Sequence, residues 1–65
     1  MKVLINKNPF ELLPGATLAD AIAAIGARPP FAAAVNLQFI PKKQYAQHPL
    51  QDQDRIDIIS PVTGG

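Results

Sequence analysis

Only one stretch of this chain has the pattern of a regular helix, and that fact limits the folds open to it. Leu18, Ala21, Ile22 and Ile25 fall at i, i+3, i+4 and i+7, a single apolar stripe along two to three helical turns. Thr17 precedes the stripe as a candidate N-cap, and Asp20 three residues on places a negative charge at the positive end of the helix. Gly26 stands where a left-handed C-cap belongs, and Arg28-Pro29-Pro30 cannot continue a helix. Upstream, Pro14-Gly15 has the proline and glycine order of a type II turn. The core must therefore come largely from strands that pack against one short, alanine-rich helix.

The strands are legible from β-rich runs and turn residues. Lys2–Asn6 opens the chain as a first strand, with Val3 and Ile5 on one face and Lys2, Leu4 and Asn6 on the other. Asn6-Lys7-Asn8-Pro9 predicts a turn, and Phe10–Leu13 a returning strand with Pro9 at its first residue. After the helix, Phe31–Asn36 predicts a third strand with Phe31, Ala33 and Val35 on one face. Asn36-Leu37 reads as a weak turn, and Gln38–Ile40 as a short fourth strand ended by Pro41. Lys42–His48 has a helical-turn character, with Tyr45 available to cover the core, and Pro49-Leu50 returns the chain inward. The last strand is Arg55–Ile59, with Ile56 and Ile58 on one face and Arg55, Asp57 and Ile59 on the other.

A hairpin, then a helix, then further strands predicts an α+β domain: a mixed sheet of four to five strands with the one main helix packed on one face. The first and last strands are the most apolar and are expected side by side at the centre, parallel to each other. This is the ubiquitin-like β-grasp arrangement. Residues 1–60 form the expected globular domain and 61–65 a flexible tail ending in two glycines.

Composition removes several function classes. Sixty-five residues make one domain of marginal stability. With no cysteine and one histidine, neither a disulfide framework nor a cysteine-based zinc site is available. Six basic residues against five acidic ones, without a long run of either, give no basic stripe for nucleic acid. The apolar run at the N-terminus is too short for a signal peptide, and Asp20, Arg28 and Pro29-Pro30 interrupt the alanine-rich middle before it could span a membrane. A soluble, cytoplasmic protein without membrane or nucleic-acid partners is expected.

The C-terminus then becomes informative. At a glycine usage of about 7%, two terminal glycines arise by chance in roughly one chain in 200. Here glycine is otherwise spent only at one turn and one helix end, so the pair is not general glycine richness. Pro61 has no N–H and ends the regular ladder of a central strand, so the strand should stop near Ser60. Five extended residues then reach at most about 17 Å, enough to thread a narrow channel in a partner.

Taken in order, Pro14-Gly15-Ala16-Thr17-Leu18, Ala34-Val35-Asn36, Ile40-Pro41-Lys42, Gln44-Tyr45-Ala46, the run Leu50-Gln51-Asp52-Gln53-Asp54-Arg55-Ile56-Asp57-Ile58 and the final Gly64-Gly65 resemble the ThiS family of sulfur carriers in thiamine biosynthesis. The resemblance covers essentially the whole chain. The related small subunit of molybdopterin synthase shares the fold and the diglycine end but is usually longer in the middle. Family members often carry glycine where this chain has Lys7, Leu37 and Gln53, and many carry tryptophan at Tyr45.

The resemblance implies a protein co-substrate, not an enzyme: the chain supplies no catalytic residue and binds no cofactor or metal itself. A ThiF-like partner would use MgATP to adenylate the Gly65 carboxylate. A persulfide would supply sulfur, and a ThiG-like thiazole synthase would accept it from the resulting thiocarboxylate. Val62, Thr63 and Gly64 would carry Gly65 into those active sites. The residue chemistry agrees. An α-carboxylate titrates near 3.3–3.7 in model peptides and is ionised at neutral pH, in roughly the state needed to attack the α-phosphate of ATP. Glycine, lacking a Cβ, lets ATP and enzyme backbone approach closely. Two alternatives stay open: a carrier for molybdopterin or another sulfur-containing product, and a β-grasp interaction module whose C-terminus is chemically silent.

Other polar residues have plainer readings. His48 has no nucleophile at triad spacing and reads as a surface loop residue. Asp52, Asp54 and Asp57 lack the glycine and closing glutamate of a calcium loop. Arg28, Lys42, Lys43 and Arg55 read as solvated charges. Leu4 and Ile59, with Phe39, are expected to form an apolar patch on the sheet face away from the helix, where a partner would dock.

Overall fold

A computed structural model describes residues 1–60. It contains β1 (Lys2–Ile5), β2 (Asn8–Glu11), α1 (Leu18–Ala24), β3 (Ala32–Val35), β4 (Gln38–Ile40), a 3₁₀ helix (Lys42–Gln47) and β5 (Arg55–Ile59). The strands form one mixed sheet in the order β2-β1-β5-β3-β4. β5 lies at its centre, parallel to β1 as the sequence predicts, and pairs antiparallel with β3 on its other side.

The first hairpin departs from expectation. β2 begins at Asn8 and ends at Glu11, two residues earlier than the predicted Phe10–Leu13, because the connection is a tight two-residue turn of Asn6 (φ 51°) and Lys7 (φ 72°). Two adjacent positive φ values define the type I′ geometry that matches strand twist. Pro9 therefore sits inside a strand, opposite Leu4. Leu4 turns its own N–H toward β5, bonding the Asp54 carbonyl at 2.9 Å. Position 9 is thus a non-bonded site on an edge strand, where proline costs no ladder bond. The second hairpin repeats the device: Asn36 (φ 51°) and Leu37 (φ 70°) connect β3 to β4. What reads as a weak turn is a second type I′ turn. β3 is also shorter than predicted, leaving Phe31 outside it, half-buried and stacked on Tyr45 with ring centroids 5.8 Å apart.

The helix is closed at both ends by its own sequence. The Asp20 carboxylate accepts from the Thr17 N–H (2.8 Å) and the Thr17 hydroxyl (3.2 Å). At the other end the Gly26 N–H bonds the Ala23 carbonyl (3.1 Å) and the Ala27 N–H bonds the Ile22 carbonyl (3.3 Å). With Gly26 at φ 66°, this is the Schellman pattern. Leu18, Ala21 and Ile22 pack on Val3, Ile5, Ala33, Val35, Ile56 and Ile58, with Ile40 and Leu50 completing the core. The Leu18 N–H bonds the His48 carbonyl and the Leu50 N–H bonds the Ala16 carbonyl, both at 2.9 Å, which ties the start of the helix to the segment leading into β5.

Candidate functional site

The chemistry expected of this chain lies at its C-terminus, so the site is built from the strand that ends there. Val62, Thr63, Gly64 and Gly65 lie outside the described residues, as does Pro61. β5 stops at Ile59, in agreement with the predicted end near Ser60.

β5 is held from both sides, and at two points by side chains. β1 pairs with it only over Leu4↔Arg55 and Ile5↔Ile56, because the Asn6-Lys7 turn then carries β1 away. The backbone N–H of Asn6 still bonds the Ile56 carbonyl at 2.9 Å. Beyond it the Asn6 side chain takes over: its Oδ1 accepts the Ile58 N–H at 2.8 Å. At the start of the strand, on the β3 side, Asn36 Oδ1 accepts the Arg55 N–H at 3.0 Å, and Asn36 Nδ2 donates to the Asp54 carboxylate at 3.0 Å. The two turn asparagines therefore bracket the central strand, at its first residue and its fourth.

The sheet face opposite the helix carries the expected docking residues, and the register separates them. Ile59 lies opposite Ala32 and Phe39 opposite Ala34, so the two flank the small alanines of β3. Both are largely exposed, at 62% and 63%. Leu4 is half-buried and stands beside Arg55, four residues back along β5 and so about 13 Å from the level of Ile59. Arg55, at the level of Leu4, and Asp57, midway to Ile59, occupy the outer face of β5. The expected patch of Leu4 with Ile59 is thus two features: an apolar strip of Ile59, Ala32, Ala34 and Phe39, and a separate Leu4 beside the charged Arg55. Parity placed all three residues on the correct face, but only register shows which are neighbours.

Other singled-out residues have structural work or none visible. The Asp52 carboxylate accepts the Lys2 N–H at 2.8 Å, and this bond, with one from the Gln53 side chain, holds its pKa below the usual value. Asp54 accepts the Gln51 N–H at 2.8 Å, closing the turn before β5. Among the described residues no group of acids and histidines is arranged to hold a metal, and no polar side chain is buried. No helix among them is long and apolar enough to cross a membrane. His48 is half-buried beside the start of the helix, and Arg28, Lys42, Lys43 and Arg55 are exposed.

A five-stranded mixed sheet with parallel central strands, one helix on one face and a C-terminal central strand defines a ubiquitin-like β-grasp domain. The family model of the ThiS family matches residues 3–65, and the chain belongs to that family. It is 33% identical over 66 residues to the sulfur carrier protein ThiS of Escherichia coli K12, and the alignment covers both chains completely. Its fold matches a crystal structure of the thiamine biosynthesis protein ThiS from Geobacter metallireducens with a TM-score of 0.81 at 13% identity, again over all of both chains.

Proposed function

We propose that this protein is a sulfur carrier that acts through the carboxylate of Gly65. The observation that supports this reading is that the family match runs to residue 65, across the Gly64-Gly65 end. One carboxylate oxygen attacks the α-phosphate of ATP on a ThiF-like enzyme and expels pyrophosphate, leaving an acyl-adenylate. The terminal sulfur of a persulfide then attacks the acyl carbon and expels AMP. Cleavage of the resulting S–S bond by a thiol leaves a thiocarboxylate, which donates its sulfur on a ThiG-like synthase to the thiazole of thiamine. MgATP belongs to the partner. The chain itself contributes a nucleophile, a means of presenting it and a face to dock with, and it is regenerated after each transfer.

Intact-protein mass spectrometry tests this directly. After incubation with the adenylating enzyme, MgATP and a persulfide source, the chain should gain the mass difference of sulfur replacing one oxygen, localised to the C-terminal peptide. No gain with an active cognate enzyme rules the carrier reading out. Deleting Gly65, or adding one residue after it, should abolish the gain, whereas an interaction module with a silent C-terminus would tolerate either change.

A further inference from the structure

We infer that Asn6 is a positioning residue for the carrier reaction, fixing the point at which the chain leaves the sheet toward Gly65. The inference rests on the carrier reading and adds a residue 59 positions upstream of the reacting carboxylate. β1 contributes backbone bonds to β5 only as far as the Ile56 carbonyl, while β5 runs on to Ile59. On the β1 side, the last hold on β5 is therefore the Asn6 Oδ1 bond to the Ile58 N–H, 2.8 Å long and partly buried. Without it, β5 is secured past Ile56 from the β3 side alone, through Ala34↔Asp57, Ala33↔Ile58 and Ala32↔Ile59. A strand end held on one edge swings more freely than one held on both, and Ser60 is the base from which residues 61–65 start.

Asparagine suits both demands at this position. It tolerates the left-handed φ of 51° that the tight turn imposes, and its side-chain carbonyl replaces the backbone acceptor that the turn removes. Ser60 sets where residues 61–65 begin, so displacing it displaces the reach of the Gly65 carboxylate in a docked partner, and misplacement of reacting atoms by about 1 Å can cost on the order of a hundredfold in rate. Phe39 of the docking strip lies on β4, away from this bond, and Ile59 keeps its pairing with Ala32 of β3 when the bond is lost. Loss of the Asn6 side chain should therefore lower turnover and leave docking intact.

The test compares Asn6→Gly and Asn6→Asp with the wild-type chain in ATP–pyrophosphate exchange catalysed by the adenylating enzyme of the same genome. Glycine adopts the required φ freely, so Asn6→Gly removes the side-chain acceptor without straining the turn. Asn6→Asp keeps an acceptor. The expected result for Asn6→Gly is a fall in kcat of roughly tenfold, a KM within about twofold of wild type and faster amide exchange at Ile58. Asn6→Asp should restore most of the turnover. Wild-type kcat in Asn6→Gly, a loss confined to KM, or an equal loss in Asn6→Asp would each overturn the role of Asn6. If the wild-type chain itself supports no exchange, the carrier reading falls first, which separates the two failures.

Discussion

At the scale of single residues, the turns carry unused stability. Lys7, Leu37 and Gln53 sit at φ 72°, 70° and 74°, the left-handed region that costs a residue with a side chain about 1–2 kcal/mol. Glycine removes that cost but gives back about 0.5–1 kcal/mol through the freedom of the unfolded chain. Each of Lys7→Gly, Leu37→Gly and Gln53→Gly should thus stabilise the fold by about 0.5–1 kcal/mol in urea unfolding, and changes at well-separated turns should add. Gly26 gives the converse. Nothing lies within 4 Å of where its Cβ would be, so Gly26→Ala meets only the backbone penalty and should cost about 1 kcal/mol. Asp52 adds a pH signature. Its folded pKa is lowered mainly by the Lys2 N–H bond, so its contribution is complete above the ordinary value of 3.8 and is lost as pH falls through the lower folded value. The stability difference between wild type and Asp52→Asn should be constant from neutrality down to that ordinary value and shrink below it, as measured by chemical unfolding across the acid range.

At the scale of elements, the open sheet face makes a graded prediction for docking. Ile59→Asp and Phe39→Asp place a charge in one apolar strip and should each weaken binding to the adenylating enzyme by roughly tenfold or more, with circular dichroism unchanged. Leu4→Asp, beside Arg55 and away from that strip, should have the smaller effect; titration calorimetry with the three variants reads the order directly. The elements themselves were largely legible beforehand. The helix, β4 and β5 follow from periodicity and proline punctuation, and β5 begins and ends where its apolar alternation does. β2 was displaced because Asn8 and Pro9 read locally as turn residues, and only the pairing of Pro9 with Leu4 shows that its missing N–H faces solvent. The role of Asn6 was hidden for a different reason. Its partner, Ile58, lies 52 residues away, and no local pattern reports a bond at that separation. The recurrence of asparagine as the first residue of both tight turns was the available signal.

At the scale of the whole molecule, the core is small enough that one residue decides whether it folds. At about 0.05–0.15 kcal/mol per residue, a chain of 65 residues has roughly 3–10 kcal/mol of stability. Leu18 and Ile56 are almost completely buried, and truncating either to alanine costs about 2–5 kcal/mol. Leu18→Ala or Ile56→Ala should therefore leave a measurable unfolded fraction at 37 °C or abolish cooperative melting, visible by calorimetry. The arrangement of β5 also governs how the domain bears load. The bonds between β1 and β5 run across the strands and the two strands are parallel, so opposed pulls on the two termini load this short ladder and the Asn6 side-chain bond together, in shear. A pull applied at the C-terminus therefore meets the mechanically strong direction of the fold. A pull on the β3–β4 turn at Leu37 would instead unzip its hairpin one bond at a time. Single-molecule extension should register a clearly higher rupture force for the first geometry than for the second.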